Sequence, residues 1–289
     1  ISIALLGILG YTHIRKDFGE KAGAIFSLLT YTLPANIVYA SEIRMYGWAM
    51  LFVMIMAIYA YRIYSNKKVL KENKLEKKDI KNWAIFGTFS LISAYTHYYG
   101  LMAAGITNII LFIWILKDSI KQKKFTINLK AFIIQAVIEI ILYIPWVLSL
   151  LLQMSQVSNG FWIGVKFPDT LIEMFTFQFT GNLEGTHHIN NWIAGIYGII
   201  FCIYIIYCVI KNKKATNKQK LEPAKLSIII YGLVILGAIA VSIVIQRPII
   251  YARYLLVVTG LLIFTFAYIM AKIGSKKGNI AIIILTTII

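Results

Sequence analysis

The chain has 289 residues, of which 59% are hydrophobic and only 14% are charged, and its formal net charge is +17. A soluble domain of this size needs more polar residues than this to cover its surface. The composition therefore excludes a soluble protein. Nucleic-acid binding is not needed to explain the positive charge, because the basic residues lie in short stretches between long apolar segments and not on one folded face.

Basic residues divide the chain into apolar segments. Of the 29 Lys and Arg residues, 25 lie in five stretches, namely His13–Lys21, Arg62–Lys81, Lys117–Lys130, Lys211–Lys225 and Lys272–Lys277. Short loops rich in Lys and Arg stay on the cytoplasmic side of a membrane, so we expect all five to face the cytoplasm and to meet anionic lipid headgroups. Four basic residues lie outside these stretches, so a cytoplasmic loop does not account for them. They are Arg44, Lys166, Arg247 and Arg253.

The apolar segments predict an all-α fold, a polytopic bundle of transmembrane helices in one domain covering residues 1–289. A helix needs roughly 20 apolar residues to cross the hydrocarbon core. The predicted spans are 1–12, 22–40, 47–63, 83–97, 100–116, 131–152, 191–210, 226–245, 251–271 and 279–289. These ten crossings alternate without conflict, and the first and last are expected to be incomplete. The lysine-rich stretch Ser65–Asn82 is predicted to be a solvated linker.

One outward connection is long, and it covers Gln153–Asn191. Pro168 and Asp169 could start a helix that runs to about Phe179, in a loop rich in aromatic residues. Such a segment beside a membrane usually lies in the interface plane. It could either shield the bundle or contribute to substrate binding.

An acidic and a basic residue lie two positions apart in the first outer loop. Glu42 and Arg44 follow an apolar segment that contains Pro34, and they precede the span that begins near Tyr46. Ionisable groups on the apolar side of a membrane are costly unless they are paired or face a polar cavity. The guanidinium could bind a phosphate through two hydrogen bonds while the carboxylate fixes it, or the two groups could form an interfacial ion pair.

A second outer loop combines two arginines with two tyrosines. Arg247 and Arg253 flank Tyr251, and Tyr254 follows at the start of the next span. Arginines at a membrane boundary are suited to binding the phosphate of a lipid whose tail stays in the bilayer. The alternative is a snorkelling arginine within an aromatic belt.

Two further titratable residues need an explanation. His97 lies between tyrosines at the outer end of a predicted helix pair, where it could hydrogen-bond a sugar or simply be an interfacial histidine. Glu139 lies in the middle of a span, so it needs a partner or a proton, and a role in helix packing is the favoured interpretation.

Four segments in chain order resemble motifs of the polytopic glycosyltransferases of the C-type (GT-C) fold, in the protein O-mannosyltransferase-like family 39 and RgtA/B/C/D-like group. They are Tyr39–Tyr46, Thr96–Gly100, Tyr143–Trp146 together with Gln153, and Arg247–Leu256. The first segment has Ala40-Ser41 where the family has Ser-Gln and Ile43 where it has Ala, and Val257 stands where Pro is usual. The order of the motifs over nearly the whole chain makes the match specific.

The resemblance implies a GT-C-like membrane glycosyltransferase that moves a sugar, a hexose or pentose such as mannose, from a polyprenyl-phosphate donor to an extracytoplasmic acceptor with inversion. Its site would lie at the outer face of the cell membrane. It implies that Arg247 and Arg253 clamp the phosphate and that Glu42 and Arg44 form the catalytic acidic and basic element. It further implies that the remaining site residues bind the sugar or phosphate, and these are Tyr46, His97, Tyr98, Tyr251 and Tyr254.

The resemblance also implies an N-terminal truncation. His13–Gly23 resembles the cytoplasmic turn that follows the family's second transmembrane helix, so a helix and an outer loop would precede Ile1. That loop carries the family's catalytic base, an acidic residue, and no residue of this sequence is assigned the role. We therefore expect the chain as it stands to be inactive.

Two other classes stay open. A multi-pass transporter or flippase would share the helix number, although the sequence lacks paired segments of broken helices. A surface-glycan polymerase or ligase would share the lipid-linked substrate. The sequence leaves the identity of the sugar, the acceptor and any need for a divalent metal undecided.

Overall fold

The computed structural model describes residues 1–159, 169–180 and 188–288, and every regular element among them is helical. The helices are α1 (Ser2–Leu9), α2 (Arg15–Phe18), α3 (Glu20–Thr32), α4 (Pro34–Ser41), α5 (Tyr46–Tyr64), α6 (Lys67–Glu72), α7 (Lys77–Thr96), α8 (Tyr98–Lys121), α9 (Ile127–Asn159), α10 (Asp169–Thr180), α11 (His188–Lys214), α12 (Glu222–Val244), α13 (Leu256–Ile273) and α14 (Lys276–Ile288). A π-helical turn, Gly10–Ile14, follows α1, and a 3₁₀ turn, Ala252–Leu255, precedes α13.

The all-α prediction is confirmed for the described part of the chain, which also supports a membrane protein. Six described helices are long and apolar enough to cross a membrane, or seven if one bent pair is a single span. The six are Tyr46–Tyr64, Tyr98–Gln122, Ile127–Gln156, Trp192–Lys214, Glu222–Val244 and Ala252–Ile273.

The expectation of ten crossings is therefore too high, and each shortfall has a physical cause. The predicted span 22–40 is bent by 60° between α3 and α4, where Pro34 lacks the backbone donor that a continuous helix needs. The terminal spans fall on α1, which continues through the π-helical turn into the basic helix α2, and on α14, which has 13 residues. The span 83–97 falls on α7, whose polar side chains lower its apolar character.

The surface of the long helices agrees with a membrane environment. On α9, Ile140 and Leu148 are 63% and 70% exposed, and on α11 Ile203 is 60% exposed. Monomeric soluble proteins rarely expose apolar patches of this extent, whereas lipid hydrocarbon covers them at no cost.

The chain divides into two compact units, each assembled from stretches that are distant in sequence. The first contains Ile1–Leu51, Ile163–Gly232 and Ile250–Ile289, and the second contains Phe52–Trp162 and Leu233–Ile249. No change of composition marks these boundaries.

Helix α13 forms the core of the first unit. It packs against α3 and α11, and its residues from Leu256 to Leu261 are all buried. A helix that is apolar on all sides is expected at such a buried position. The π-helical turn also packs on α3, where a Cβ at Gly23 would lie 2.9 Å from the Cβ of Arg15 and would collide with the carbonyl oxygen of Gly10.

The sequence predicted a helix after Pro168, and residues Asp169–Thr180 form α10, between α9 and α11, whose ends at Asn159 and His188 shorten the predicted loop Gln153–Asn191. Helix α10 begins at Asp169, as the sequence indicates, and it packs within the first unit against α4, α11 and the 3₁₀ turn. Phe177 and Phe179 on this helix are each 3% exposed. Phe175 on the same helix is 39% exposed, and Phe161, Trp162 and Phe167 lie outside the described residues.

In the second unit, α7, α8 and α9 pack on one another. The lysine-rich stretch before α7 is more ordered than a solvated linker, because it contains α6 and polar residues fix its ends. Asn66 accepts a hydrogen bond from the backbone N–H of Val69 at 3.3 Å, and its amide donates to Asp79 at 2.7 Å. Glu76 and Asp79 form a capping box at the start of α7.

Candidate functional site

The segment between α4 and α5 places an acidic and a basic residue at the ends of two helices. Helix α4 ends at Ser41 because Glu42 adopts an extended conformation, with φ −75° and ψ 133°. Helix α5 begins at Tyr46, so Ile43, Arg44 and Met45 form the connection. Ile43 is fully exposed, so it does not pack against the charged side chains on either side of it.

Glu42 and Arg44 form the ion pair that their spacing allows. The Nε atom of Arg44 lies 3.3 Å from Oε2 of Glu42, and the two side chains are 48% and 26% exposed. The contact is an ion pair without hydrogen-bond alignment, because Oε2 has no hydrogen-bond partner of good geometry. A pair this exposed contributes little to stability. Most of the five guanidinium donors of Arg44 stay available for another anion.

Arg253 lies in the 3₁₀ turn that precedes the buried helix α13. Its guanidinium carbon is 4.7 Å from the ring centroid of Tyr251, a cation–π distance. The charge of Arg253 also interacts with the hydroxyl groups of Tyr39, Tyr46 and Tyr254. The side chain is half-buried, so its charge lies in a setting where water screens it less than at an open surface.

Tyrosine rings connect the two arginine-bearing segments within the first unit. The ring centroids of Tyr39 and Tyr46 are 6.0 Å apart, and those of Tyr46 and Tyr254 are 6.1 Å apart. Tyr254 in turn lies 5.5 Å from Tyr251. The first and fourth sequence motifs therefore meet in space, although about 200 residues separate Arg44 from Arg253 in the chain. We call the cluster of Glu42, Arg44, Arg253 and these four tyrosines the arginine–tyrosine cluster.

His97 occupies the junction of α7 and α8 in the second unit. Its backbone is extended, and its Nδ1 atom accepts a hydrogen bond of 3.1 Å from the backbone N–H of Tyr99, which caps α8. Burial lowers the pKa of His97 to about 4, so the imidazole is neutral at physiological pH. The structure shows His97 as the N-cap of α8, and a sugar contact from its other ring nitrogen stays a prediction.

Tyrosines bring three motif segments together in the second unit. The hydroxyl of Tyr98 hydrogen-bonds the side-chain oxygen of Gln153, and the hydroxyl of Tyr99 donates to the backbone oxygen of Ile249 at 3.1 Å. Tyr99 was not a predicted site residue. Its partner lies 150 positions later, and only knowledge of the helix packing could have identified it.

Arg247 also belongs to the second unit, where Ser242 fixes the backbone around it. The N–H of Arg247 donates to the carbonyl oxygen of Ser242 at 3.1 Å, and the N–H of Ile249 donates to the Ser242 hydroxyl at 3.0 Å. Of the two arginines assigned to the phosphate, Arg247 is in the second unit and Arg253 is in the first.

Glu139 lies in a polar cluster that the sequence did not reveal. Its Oε2 atom accepts a hydrogen bond of 3.3 Å from the amide of Asn108 on α8, which also donates to the hydroxyl of Ser90 on α7 at 3.0 Å. Gln135, one turn earlier on α9, approaches the same carboxyl group. Polar side chains thus connect three helices of the second unit, as the helix-packing interpretation of Glu139 requires.

No protein-family model matches this sequence, and neither a curated protein nor a solved structure matches the chain.

Proposed function

We propose that this protein is a membrane glycosyltransferase that moves a sugar from a polyprenyl-phosphate donor to an acceptor outside the cytoplasm, with inversion at the anomeric carbon. The observation that supports it best is the arginine–tyrosine cluster. It combines an anion-binding group, a carboxylate and several aromatic hydroxyls at the ends of apolar helices, which is the chemistry that a lipid-linked sugar phosphate requires.

In this proposal Arg253 binds the donor phosphate and Arg44 supports it. As the bond between the anomeric carbon and the phosphate oxygen breaks, negative charge grows on the phosphate. A preorganised guanidinium stabilises that charge through two parallel hydrogen bonds, and its effect is larger where water is largely excluded. Glu42 holds Arg44 in position through the 3.3 Å ion pair.

The tyrosines would orient the donor. Tyr251 and Tyr254 offer ring faces to the sugar and hydroxyl groups to the sugar or phosphate, whereas Tyr46 is only 3% exposed and supports Tyr254 through their ring contact. His97, Tyr98 and Arg247 are proposed as further donor contacts on the strength of the resemblance.

The acceptor hydroxyl would attack the anomeric carbon on the face opposite the phosphate. A new bond forms from the acceptor oxygen to that carbon, the phosphate departs with the electron pair, and the acceptor proton passes to a carboxylate. This proposal assigns the base to no described residue, and Glu42 acts in it as a positioning residue for Arg44.

The test is transfer by the protein in membranes. Membranes of a knockout strain and of the complemented strain receive radiolabelled polyprenyl-phosphate hexoses and pentoses in separate reactions, and label in extracytoplasmic products is counted. We expect complementation to restore transfer from one donor and the knockout to accumulate that lipid-linked sugar. Equal transfer and equal donor levels in the two strains would exclude the proposal.

A transporter or flippase is the second candidate, and the cluster around Glu139 favours it. A carboxyl group held by Asn108 inside an apolar helix bundle is the kind of residue that couples ion movement to transport. Reconstituted liposomes distinguish the two classes. A flippase moves a fluorescent polyprenyl-phosphate sugar between leaflets without an acceptor, whereas a glycosyltransferase consumes the donor only when an acceptor is present.

A further inference from the structure

A cleft of about 610 Å³ lies between α7 and α9 in the second unit. Its walls are mostly apolar, with Trp83, Leu91, Ile134 and Ile138 among them. Its size falls within the range of protein sites that hold a small ligand. Because α9 has the composition of a membrane span, an occupant of the cleft would come from the bilayer.

Two polar side chains line this apolar cleft, and part of their hydrogen-bonding capacity is not used. Gln135 is only 9% exposed, yet neither its amide nitrogen nor its amide oxygen has a hydrogen-bond partner. Oε1 of Glu139 also has none, although its other oxygen accepts from Asn108. An unpaired amide donor is costly in an apolar setting, so a ligand that offers an acceptor to the Gln135 N–H groups would be favoured there.

A single basic residue, Lys130, lies at one end of the cleft. Its side chain is exposed and makes no ion pair with a carboxylate of the described residues. It ends the basic stretch Lys117–Lys130, which the distribution of charges predicts to be cytoplasmic. At 1.5 Å per helical residue, Gln135 lies about 7.5 Å deeper along α9 than Lys130, and Glu139 about 13.5 Å deeper.

We propose that this cleft binds one anionic glycerophospholipid of the cytoplasmic leaflet. The phosphate contacts Lys130, one ester carbonyl accepts a hydrogen bond from the Gln135 amide, and one acyl chain lies between α7 and α9. The order of cation, amide and apolar wall along α9 follows the order of phosphate, ester and chain in such a lipid. This lipid site is independent of sugar transfer.

Gly87 keeps the cleft open at the depth of the polar groups. A Cβ at this position would lie 3.0 Å from Cγ of Gln135 and 3.7 Å from Oε1 of Glu139. A leucine side chain at position 87 would therefore occupy the space assigned to the ester group and upper chain. Gly105 on α8 is the matched control, because a Cβ there meets nothing within 4 Å.

The experiment uses the full chain in phosphatidylcholine nanodiscs that contain a phosphatidylglycerol analogue with a photoreactive diazirine on one acyl chain. We expect crosslinks concentrated between residues 84 and 92 and between 131 and 138, and competition by unlabelled phosphatidylglycerol. Gly87→Leu should abolish these crosslinks, and Gly105→Leu should not. Crosslinks spread evenly over the exposed faces of α9, α11 and α12 would overturn the proposal.

Charge variants give a second measurement that does not depend on how well the Gly87 variant folds. Lys130→Gln should weaken competition by phosphatidylglycerol about fivefold, the effect of about 1 kcal/mol per lysine near a membrane surface. Lys124→Gln, in the same basic stretch but outside the cleft, should leave it unchanged. An equal loss in the two variants, or equal competition by inorganic phosphate or by phosphatidylcholine, would show that no specific anionic-lipid site exists.

Discussion

The hydroxyl group of Tyr99 donates a hydrogen bond of 3.1 Å to the carbonyl oxygen of Ile249, 150 positions later in the chain. This bond joins the start of α8 to the loop that follows α12. Tyr99 is 2% exposed, so its hydroxyl has no access to water in place of this partner. The backbone beside Arg247 is therefore held by a side chain from another helix.

Tyr99→Phe should destabilise the protein by about 0.5–1.5 kcal/mol, because it removes one buried hydrogen bond and keeps the ring. Thermal unfolding of the purified protein in detergent measures the change. Tyr207→Phe is the control, since Tyr207 is 56% exposed and the loss of its hydroxyl should have little effect. Equal stability of the Tyr99 variant and the parent would mean that this bond does not hold the loop.

Arg253→Lys should keep a positive charge but lose the two-pronged donor geometry, so we expect donor turnover to fall. Removal of one preorganised donor typically costs about 100-fold to 1000-fold in rate, and Arg253→Ala should be worse than Arg253→Lys. The measurement is turnover of a polyprenyl-phosphate sugar by the protein in membranes. Lys276→Ala, an exposed residue at the start of α14, should be near neutral. Parental rates for both Arg253 variants at normal protein levels would remove Arg253 from the site.

The charge distribution predicts which loops face the cytoplasm. In a background without Cys202 and Cys208, cysteines introduced by Lys74→Cys and Asn217→Cys should resist an impermeant thiol reagent added to intact cells. Asp169→Cys, at the exposed start of α10, should react. Labelling of position 74 or 217 from outside the cell would reverse the proposed orientation.

His97 should make stability fall in acid. Its pKa is lowered to about 4 by burial, against 6.5 for an ordinary histidine. Between these two pH values the unfolded chain binds a proton that the folded protein excludes, so the free energy of unfolding falls as the pH falls from 6.5 to 4. His97→Asn retains a capping acceptor but does not titrate, so its stability should depend less on pH. Chemical unfolding at a series of pH values measures this.

His97→Ala separates capping from titration. It should also lose the pH dependence, but it should be less stable than His97→Asn at every pH by about 1 kcal/mol, because α8 loses its N-cap. The same pH dependence in the parent and in both variants would show that His97 does not titrate in this range.

Gly23→Ala should destabilise the first unit. The added methyl group would collide with the carbonyl oxygen of Gly10 and approach Arg15 too closely. Overpacking of this kind typically costs about 1–3 kcal/mol. Gly105→Ala, which faces open space, should leave the thermal unfolding temperature of the purified protein nearly unchanged.

Local features of the fold could be predicted because they depend on short stretches of sequence. Pro168 and Asp169 correctly indicated the start of α10, since proline and an acidic residue favour a helix N-terminus. The spacing of Glu42 and Arg44 allowed an ion pair as one of two alternatives, and the structure contains that pair. Pro34 was noted in the sequence, but the 60° bend that interrupts the predicted span 22–40 was not foreseen.

The site could be predicted only in part. The sequence indicated Arg253 and Glu42 as candidates because both are ionisable residues beside apolar segments and neither lies in a predicted cytoplasmic loop. It could not indicate Tyr99, Ser242 or the polar neighbours of Glu139, since uncharged polar residues are ordinary in a membrane helix until packing brings them together.

The sequence by itself determined that the chain is helical and apolar enough for a membrane, and roughly where its long helices lie. Tertiary structure alone decided which apolar helices are buried within the protein and which face the lipid. The spans in α9 and α13 have nearly the same mean hydropathy, yet 6% of the first and 83% of the second are buried within the protein. Hydropathy measures only how unfavourable water is for a segment, and lipid and protein neighbours remove it from water equally well. Shape and close packing therefore distinguish the two environments, and these depend on residues distant in the chain.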